Sequence, residues 1–242
     1  MRSSRGIDLG IYPKALGLLV RHPQIVLAPL AAALANVLLL STVPADGGFL
    51  GFANSSILSL IAFVIDAFGL GVAIVAADSA WRYGRAPLDD AVRDTRRRAG
   101  DILVAAIGFS FLVSVAGYVG SVFGGPGSLV LTAAAFVICI YMLPAAAIGG
   151  VPGGATLQIS GERVRTSPPT AILIAAIYFA GTTFGPPLVV DALGPLLLGG
   201  GIFSSGIVAS LIVAIVKAIF STYIALVLAK AYTDASYGRY LR

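Results

Sequence analysis

Few side chains inside the long apolar stretches of this chain could do chemistry, and two of them are charged. Lys217 sits in the middle of the last apolar stretch, IFSSGIVASLIVAIVKAIFSTYIALVLA at 202–229, and is the only charge in it. Asp66 lies near the centre of another apolar stretch, 56–78. A charge at the centre of a membrane-spanning helix costs at least about 2.5 kcal/mol on insertion scales, so it needs compensation. Counted inward from the ends of their stretches, both residues fall near the same depth, which predicts an intramembrane Lys217–Asp66 ion pair. Such a pair could lock two helices together or line a transport or ion-relay path. Without Asp66, Lys217 would snorkel or meet another subunit.

Other chemistry is scarce. A lysine in the last span suggests a retinal Schiff base, but six apolar stretches and a single tryptophan argue against one. There is no His-Glu-x-x-His, no pair of intramembrane aspartates and no Asp-rich head-group-transfer motif. No catalytic residue is therefore assigned, and the chain is expected not to be an enzyme. Asp89, Asp90 and Asp94 could hold a cation, yet they stand among Arg93, Arg96, Arg97 and Arg98, so no metal site is assigned. One histidine, His22, and one cysteine, Cys139, exclude a His cluster and an internal disulfide. No cofactor is expected.

Composition explains where these residues must sit. Of 242 residues, 58% are hydrophobic and 11% charged, against about 25% charged in a soluble domain. The chain reads as one all-α integral membrane domain, 1–242, in the cell (inner or cytoplasmic) membrane. A net charge of +5 would suggest nucleic acid in a soluble protein. Here it is the excess of Lys and Arg that cytoplasmic loops retain, and no nucleic-acid partner is expected.

The apolar stretches predict six transmembrane helices at about 24–42, 56–78, 102–123, 129–148, 170–190 and 203–229. The first is expected to be retained, since no small-residue cleavage pattern follows it. Before it, Ile11, Ala15, Leu18 and Leu19 share one helical face among Lys14 and Arg21, the pattern of an interfacial helix. Trp81 and Tyr83 follow the second span at headgroup level. Next comes APLDDAVRDTRRRAGD, where Pro87 suits a first helical turn and acids precede bases as the helix dipole favours. A short surface helix is expected there, and another polar connection at 149–169. Arg93, Arg96, Arg97, Arg98, Arg163 and Arg165 form a basic surface suited to anionic lipid or a protein partner. Pro144 should kink the end of the fourth span. The Gly/Pro-rich segment 186–201 reads either as an outer loop or as a re-entrant half-helix. Of sixteen Lys and Arg residues, only Lys217 lies outside the two termini and the 2–3 and 4–5 connections. That asymmetry predicts six spans with both termini cytoplasmic.

The regions 72–112 and 140–180 share an outline of span, small-residue and basic surface element, then span. The third and fifth spans end in related words, GSVFGGPG and GTTFGPP. Their Gly120–Gly124 and Gly181–Gly185 spacings are those of close helix packing.

Three stretches carry a family resemblance: GIDLGIYPKALGLLVRHPQIVLAPL, SAWRYGRAPLDDAVRDTRRRAGDILVAAI and YMLPAAAIGGVPGGATLQISGERVRTSPPTAIL. They resemble a broad group of prokaryotic six-span membrane proteins similar to the membrane domain attached to some glycerophosphodiester phosphodiesterases. The matching positions are His22 with Pro23, 84–98, and 144–165. The chain departs where the group often has an acid after the fourth span, since Gly149 and Gly150 stand there. The resemblance implies a fold and no established activity, and no phosphodiesterase catalytic domain is present.

The expected function is that of a non-enzymatic accessory or scaffold subunit that binds membrane lipids and other membrane proteins, or forms a homo-oligomer. The alternative is a small transporter or channel using Lys217 and Asp66. A polar cavity reaching Lys217 would favour the alternative.

Overall fold

The structure is a computed structural model and describes residues 9–41, 49–197 and 206–237, in which every regular element is helical. In chain order these are α1 (Ile11–Arg21), α2 (Leu27–Ser41), α3 (Phe49–Tyr83), α4 (Leu88–Arg97) and α5 (Ala99–Ser121). They are followed by α6 (Gly124–Cys139), α7 (Met142–Ala147), α8 (Thr156–Thr166), α9 (Pro168–Leu197) and α10 (Gly206–Tyr237). Four helical stretches are long and apolar enough to cross a membrane: Leu58–Tyr83, Ala99–Ser121, Gly124–Ala147 and Ser210–Ser236. A fifth is added if α1 and α2 are one bent span, and Pro168–Thr182 is a shorter apolar helix. The chain is a multi-pass helical membrane protein by the length and hydropathy of these elements.

Local sequence explains the bend between α1 and α2 and the interruption between α6 and α7. His22 leaves the helical region (φ −127°, ψ 62°), Pro23 starts a 3₁₀ turn, and α1 lies at 92° to α2. The fourth apolar stretch breaks between Cys139 and Met142. Pro144 can neither donate to the carbonyl of Ile140 nor avoid its oxygen, so the ladder opens four residues upstream of it. Ser160 of α8 closes the gap: its hydroxyl donates to Ile138 O at 2.6 Å and accepts from Tyr141 N at 3.1 Å.

A threefold outline organises the chain. Three times a short helix leads into two long apolar arms: α1 before α2 and α3, α4 before α5 and the α6–α7 arm, and α8 before α9 and α10. Each pair of arms packs together, and each short helix packs on the second arm of the preceding unit: α4 on α3, α8 on α7, and α1 on α10. The ring is thus closed by the first and last described elements. Junctions repeat as well. Gly84 (φ 66°) and Gly150 (φ 64°) end α3 and α7 in the left-handed region that glycine tolerates. Extended Pro87 and Pro152 follow them. Ser167 (φ −144°, ψ 69°) before Pro168 copies His22 before Pro23. The sequence outline at 72–112 and 140–180 therefore has a third copy at the amino-terminal end, where only the Pro and one apolar face are shared.

The short helices and most arginines gather at one end of the bundle, the basic end, where small residues allow dense packing. Ala73, Ala76, Ala77, Ala80, Ala145, Ala146, Ala225 and Ala229 are all buried. Several element limits differ from the sequence expectation. Trp81 and Tyr83 belong to the last turn of α3, where Trp81 Nε1 donates to Leu226 O at 2.8 Å and Tyr83 is exposed. The segment from Pro186 to Leu197 is neither an outer loop nor a re-entrant half-helix: it continues α9. The remainder of the 186–201 reading lies outside the described residues, as do Arg239 and Arg242.

Candidate functional site

Lys217 and Asp66 come together because α3 and α10 run side by side in the same direction. Contacts at three depths, Asp66 with Lys217, Asp78 with Thr233 and Trp81 with Leu226, set their register. Lys217 Nζ donates to Asp66 Oδ2 at 2.6 Å. Asp78 follows Asp66 by twelve residues and Lys230 follows Lys217 by thirteen. At 1.5 Å per residue the pair therefore lies about 18 to 20 Å from the Asp78–Arg82 and Lys230–Asp234 pairs at the basic end. With those pairs at the edge of a hydrocarbon layer about 30 Å thick, Lys217 and Asp66 would lie just past its midplane.

The pair is not sealed. Its side chains remain 48% and 36% exposed, because they line a cavity of about 350 Å³ where the three units converge. Walls come from α2 (Pro29, Ala32), α3 (Phe63, Leu70), α5 (Phe109), α7 (Leu143), α9 (Tyr178, Val189) and α10 (Val213, Phe220). The volume is at the lower end for small-molecule sites, and the lining has their usual form, apolar walls with a few convergent polar groups. Those groups are Lys217, Asp66, Tyr178, Thr182 and Ser221. Thr182 is already occupied, donating its hydroxyl along its own helix to Tyr178 O at 2.9 Å. Phe136 of α6 fixes the α9 wall by edge-on contacts with Tyr178 and Phe179, their ring centres 5.6 and 5.5 Å away.

The four candidate packing glycines divide. Gly120 lets α5 meet α6 so closely that a Cβ there would lie 2.5 Å from Ser128 Cα, and Gly181 gives its side-chain space to the Phe220 ring. Gly124 instead makes the turn between α5 and α6 (φ 83°). At Gly185 a Cβ would meet no described atom within 4 Å, so the spacing motif overstates its role; Gly185 borders the cavity.

The basic surface divides too. Arg98 donates from Nη1 to Ala147 O at 2.9 Å, tying α5 to α7. Arg163 donates to Ala235 O at 2.6 Å and stacks over Tyr232, tying α8 to α10. These two are internal ties, not a lipid-facing surface. Arg93 pairs with Asp90, and Arg97 with Asp94 at 3.8 Å, both on the exposed side of α4. Arg96 and Arg165 are exposed and free for an outside anion. Asp89, Asp90 and Asp94 form no metal-ligand group, and no cluster of three ligating side chains occurs among the described residues.

Reading the sequence missed three contributors. Ser160 was signalled only indirectly, by the carbonyl that Pro144 must strand. Tyr178 and Phe220 carried no signal, because an aromatic in an apolar stretch reads as lipid-facing or core until its helix is placed. No family model, curated protein or solved structure matches the chain. The six-span resemblance therefore rests on the quoted residues alone.

Proposed function

We propose that the chain crosses the cell membrane six times, with both termini and helices α1, α4 and α8 on the cytoplasmic side, and that it is a small transporter or carrier. It binds its ligand in the central cavity. The charge asymmetry of the connections supports the topology. One observation carries the functional reading: at mid-membrane depth an ion pair faces a void shared by all three units instead of being packed dry. A pair kept only as a lock would gain most from a dry, close-packed setting, since water around it weakens the attraction. Ionisable groups at this depth that face a cavity are the usual mark of a substrate or ion path.

Native purification in mild detergent, followed by mass spectrometry of bound small molecules and lipids, tests the reading. The double variant Asp66→Asn, Lys217→Met removes both charges and leaves no lone ion. Wild type is expected to carry a molecule that the folded double variant has lost. The same molecules, in the same amounts, on both proteins would defeat the carrier reading.

The accessory-subunit reading keeps one specific support. Among the four long stretches α5 is the least buried, and Val104, Ile107, Phe111, Val115, Tyr118 and Val122 form a continuous exposed stripe along it. A second protein chain that stays on this stripe through purification, and leaves on Phe111→Asn, would favour that reading.

A further inference from the structure

A second concavity lies against the first. Between α1 and α10 runs an apolar groove of about 590 Å³ bordered by Tyr12, Leu16, Leu19, Ile219 and Tyr223. Val216 and Phe220 border both this groove and the central cavity. These two side chains stand between them. Phe220 is held there by the open space over Gly181, where its ring takes the position a Cβ would need. The groove faces outward, with Leu16, Val216 and Ile219 all exposed, so in a bilayer hydrocarbon chains reach its mouth. It extends from the surface helix α1 along roughly 10 Å of α10, from Tyr223 to Val216.

The head of a ligand following that route meets Lys217, one residue from Val216. An ammonium has three donors and a carboxylate about four acceptor positions. Their mutual bond uses one of each, leaving donors on Lys217 and acceptors on Asp66 toward the void. The pair is neutral as a unit, so an added fatty-acid carboxylate or alkylammonium would place an unmatched charge at the most costly depth of the bilayer. A head with uncharged hydroxyls adds none and can both accept from Lys217 and donate to Asp66.

Building on the carrier reading above, we propose that the cavity is loaded sideways from the bilayer through the α1–α10 groove. Its ligand is a single-chain amphiphile with an uncharged, hydroxyl-bearing head. The head bonds to Lys217 and Asp66, the chain lies toward the groove, and Phe220 with Val216 forms the gate.

The test uses the full chain in nanodiscs with monolauroylglycerol carrying a photoreactive diazirine at the end of its acyl chain. Cross-links are expected on groove peptides holding Leu16, Ile219 or Tyr223. Unlabelled monolauroylglycerol should compete at least tenfold better than laurate or dodecylammonium. The double variant Asp66→Asn, Lys217→Met should lose that preference, and Phe220→Ala should speed labelling several-fold without changing the preferred head. Equal competition by laurate or dodecylammonium would overturn the choice of head, and cross-links confined to the α5 stripe would overturn the route. If native mass spectrometry still finds a different molecule lost from the double variant, the carrier reading survives the failure of this one.

Discussion

The basic end and the mid-membrane cavity handle polar groups in opposite ways. At the basic end three backbone segments have a dedicated side-chain partner: Ser160 at the α6–α7 break, Arg98 on Ala147 O, and Asp101 Oδ1 accepting from Gly153 N at 2.9 Å. At the cavity two full charges satisfy each other and keep spare bonding capacity toward a void. Buried polar groups left half-satisfied are costly, so a fold tolerates them where a ligand can complete them. Under the proposed function, the first region serves stability and the second binding.

Substitutions at the two ends should separate these roles, and the largest effect is expected at the break. Ser160→Ala removes the hydroxyl with almost no change of volume and takes away the partner of Tyr141 N–H and Ile138 C=O. At about 1 to 3 kcal/mol for each unsatisfied group the loss should reach about 2 to 6 kcal/mol. Reversible unfolding in mixed micelles measures it. A loss below about 0.5 kcal/mol would mean the break is satisfied otherwise and would erase the contrast.

Next in size is Gly120→Ala. The new methyl meets backbone, with Ser128 Cα at 2.5 Å and Gly127 O at 2.6 Å, so α5 and α6 must separate. Overpacking of this kind costs about 1 to 3 kcal/mol. Gly185→Ala, in the same sequence motif, should be within about 0.5 kcal/mol of wild type, because its Cβ position is open to described atoms. Equal melting temperatures for the two variants would show that the motif, and not the geometry around it, decides.

At the cavity a smaller and differently shaped effect is expected. Lys217→Met leaves Asp66 without its cation, and Asp66→Asn leaves Lys217 without its anion. Each should lower stability more than the double variant does, since removing one partner of a pair costs more than removing both. A double variant less stable than either single one would mean the pair is a lock of the same kind as those at the basic end.

How far these features could be read in advance depended on range. Helix location, the amphipathic faces of α1 and α4, and the Pro144 interruption are local properties carried by spacing and residue type. Lys217 and Asp66 were legible because a charge in an apolar stretch demands a partner and few exist. The cavity, the Phe220 gate and the ties made by Arg98 and Arg163 were not. They depend on which of several similar apolar faces meet, and Leu, Val, Ala and Phe in a membrane helix serve lipid and core alike. Pro186 and Pro187 misled for a related reason: proline in a membrane helix is tolerated when surroundings re-satisfy the backbone, so it need not end α9.

The smallest predicted effect concerns the arginines that face away from the bundle. Arg96 and Arg165 are exposed without a described partner, while Arg163 is engaged by Ala235 O and Tyr232. Near an anionic surface each free cation contributes about 1 kcal/mol of attraction. Arg96→Gln with Arg165→Gln should therefore leave unfolding unchanged. It should also weaken the preference of the reconstituted protein for phosphatidylserine over neutral lipid by up to about thirtyfold at low salt, an effect that fades as ionic strength rises. Arg163→Gln should do the reverse, lowering stability by about 1 to 3 kcal/mol as a charged hydrogen bond and a ring contact are lost, with lipid preference intact. If Arg163→Gln changes lipid preference and not unfolding, the basic end is a lipid-binding surface throughout, and its contrast with the cavity shrinks to depth alone.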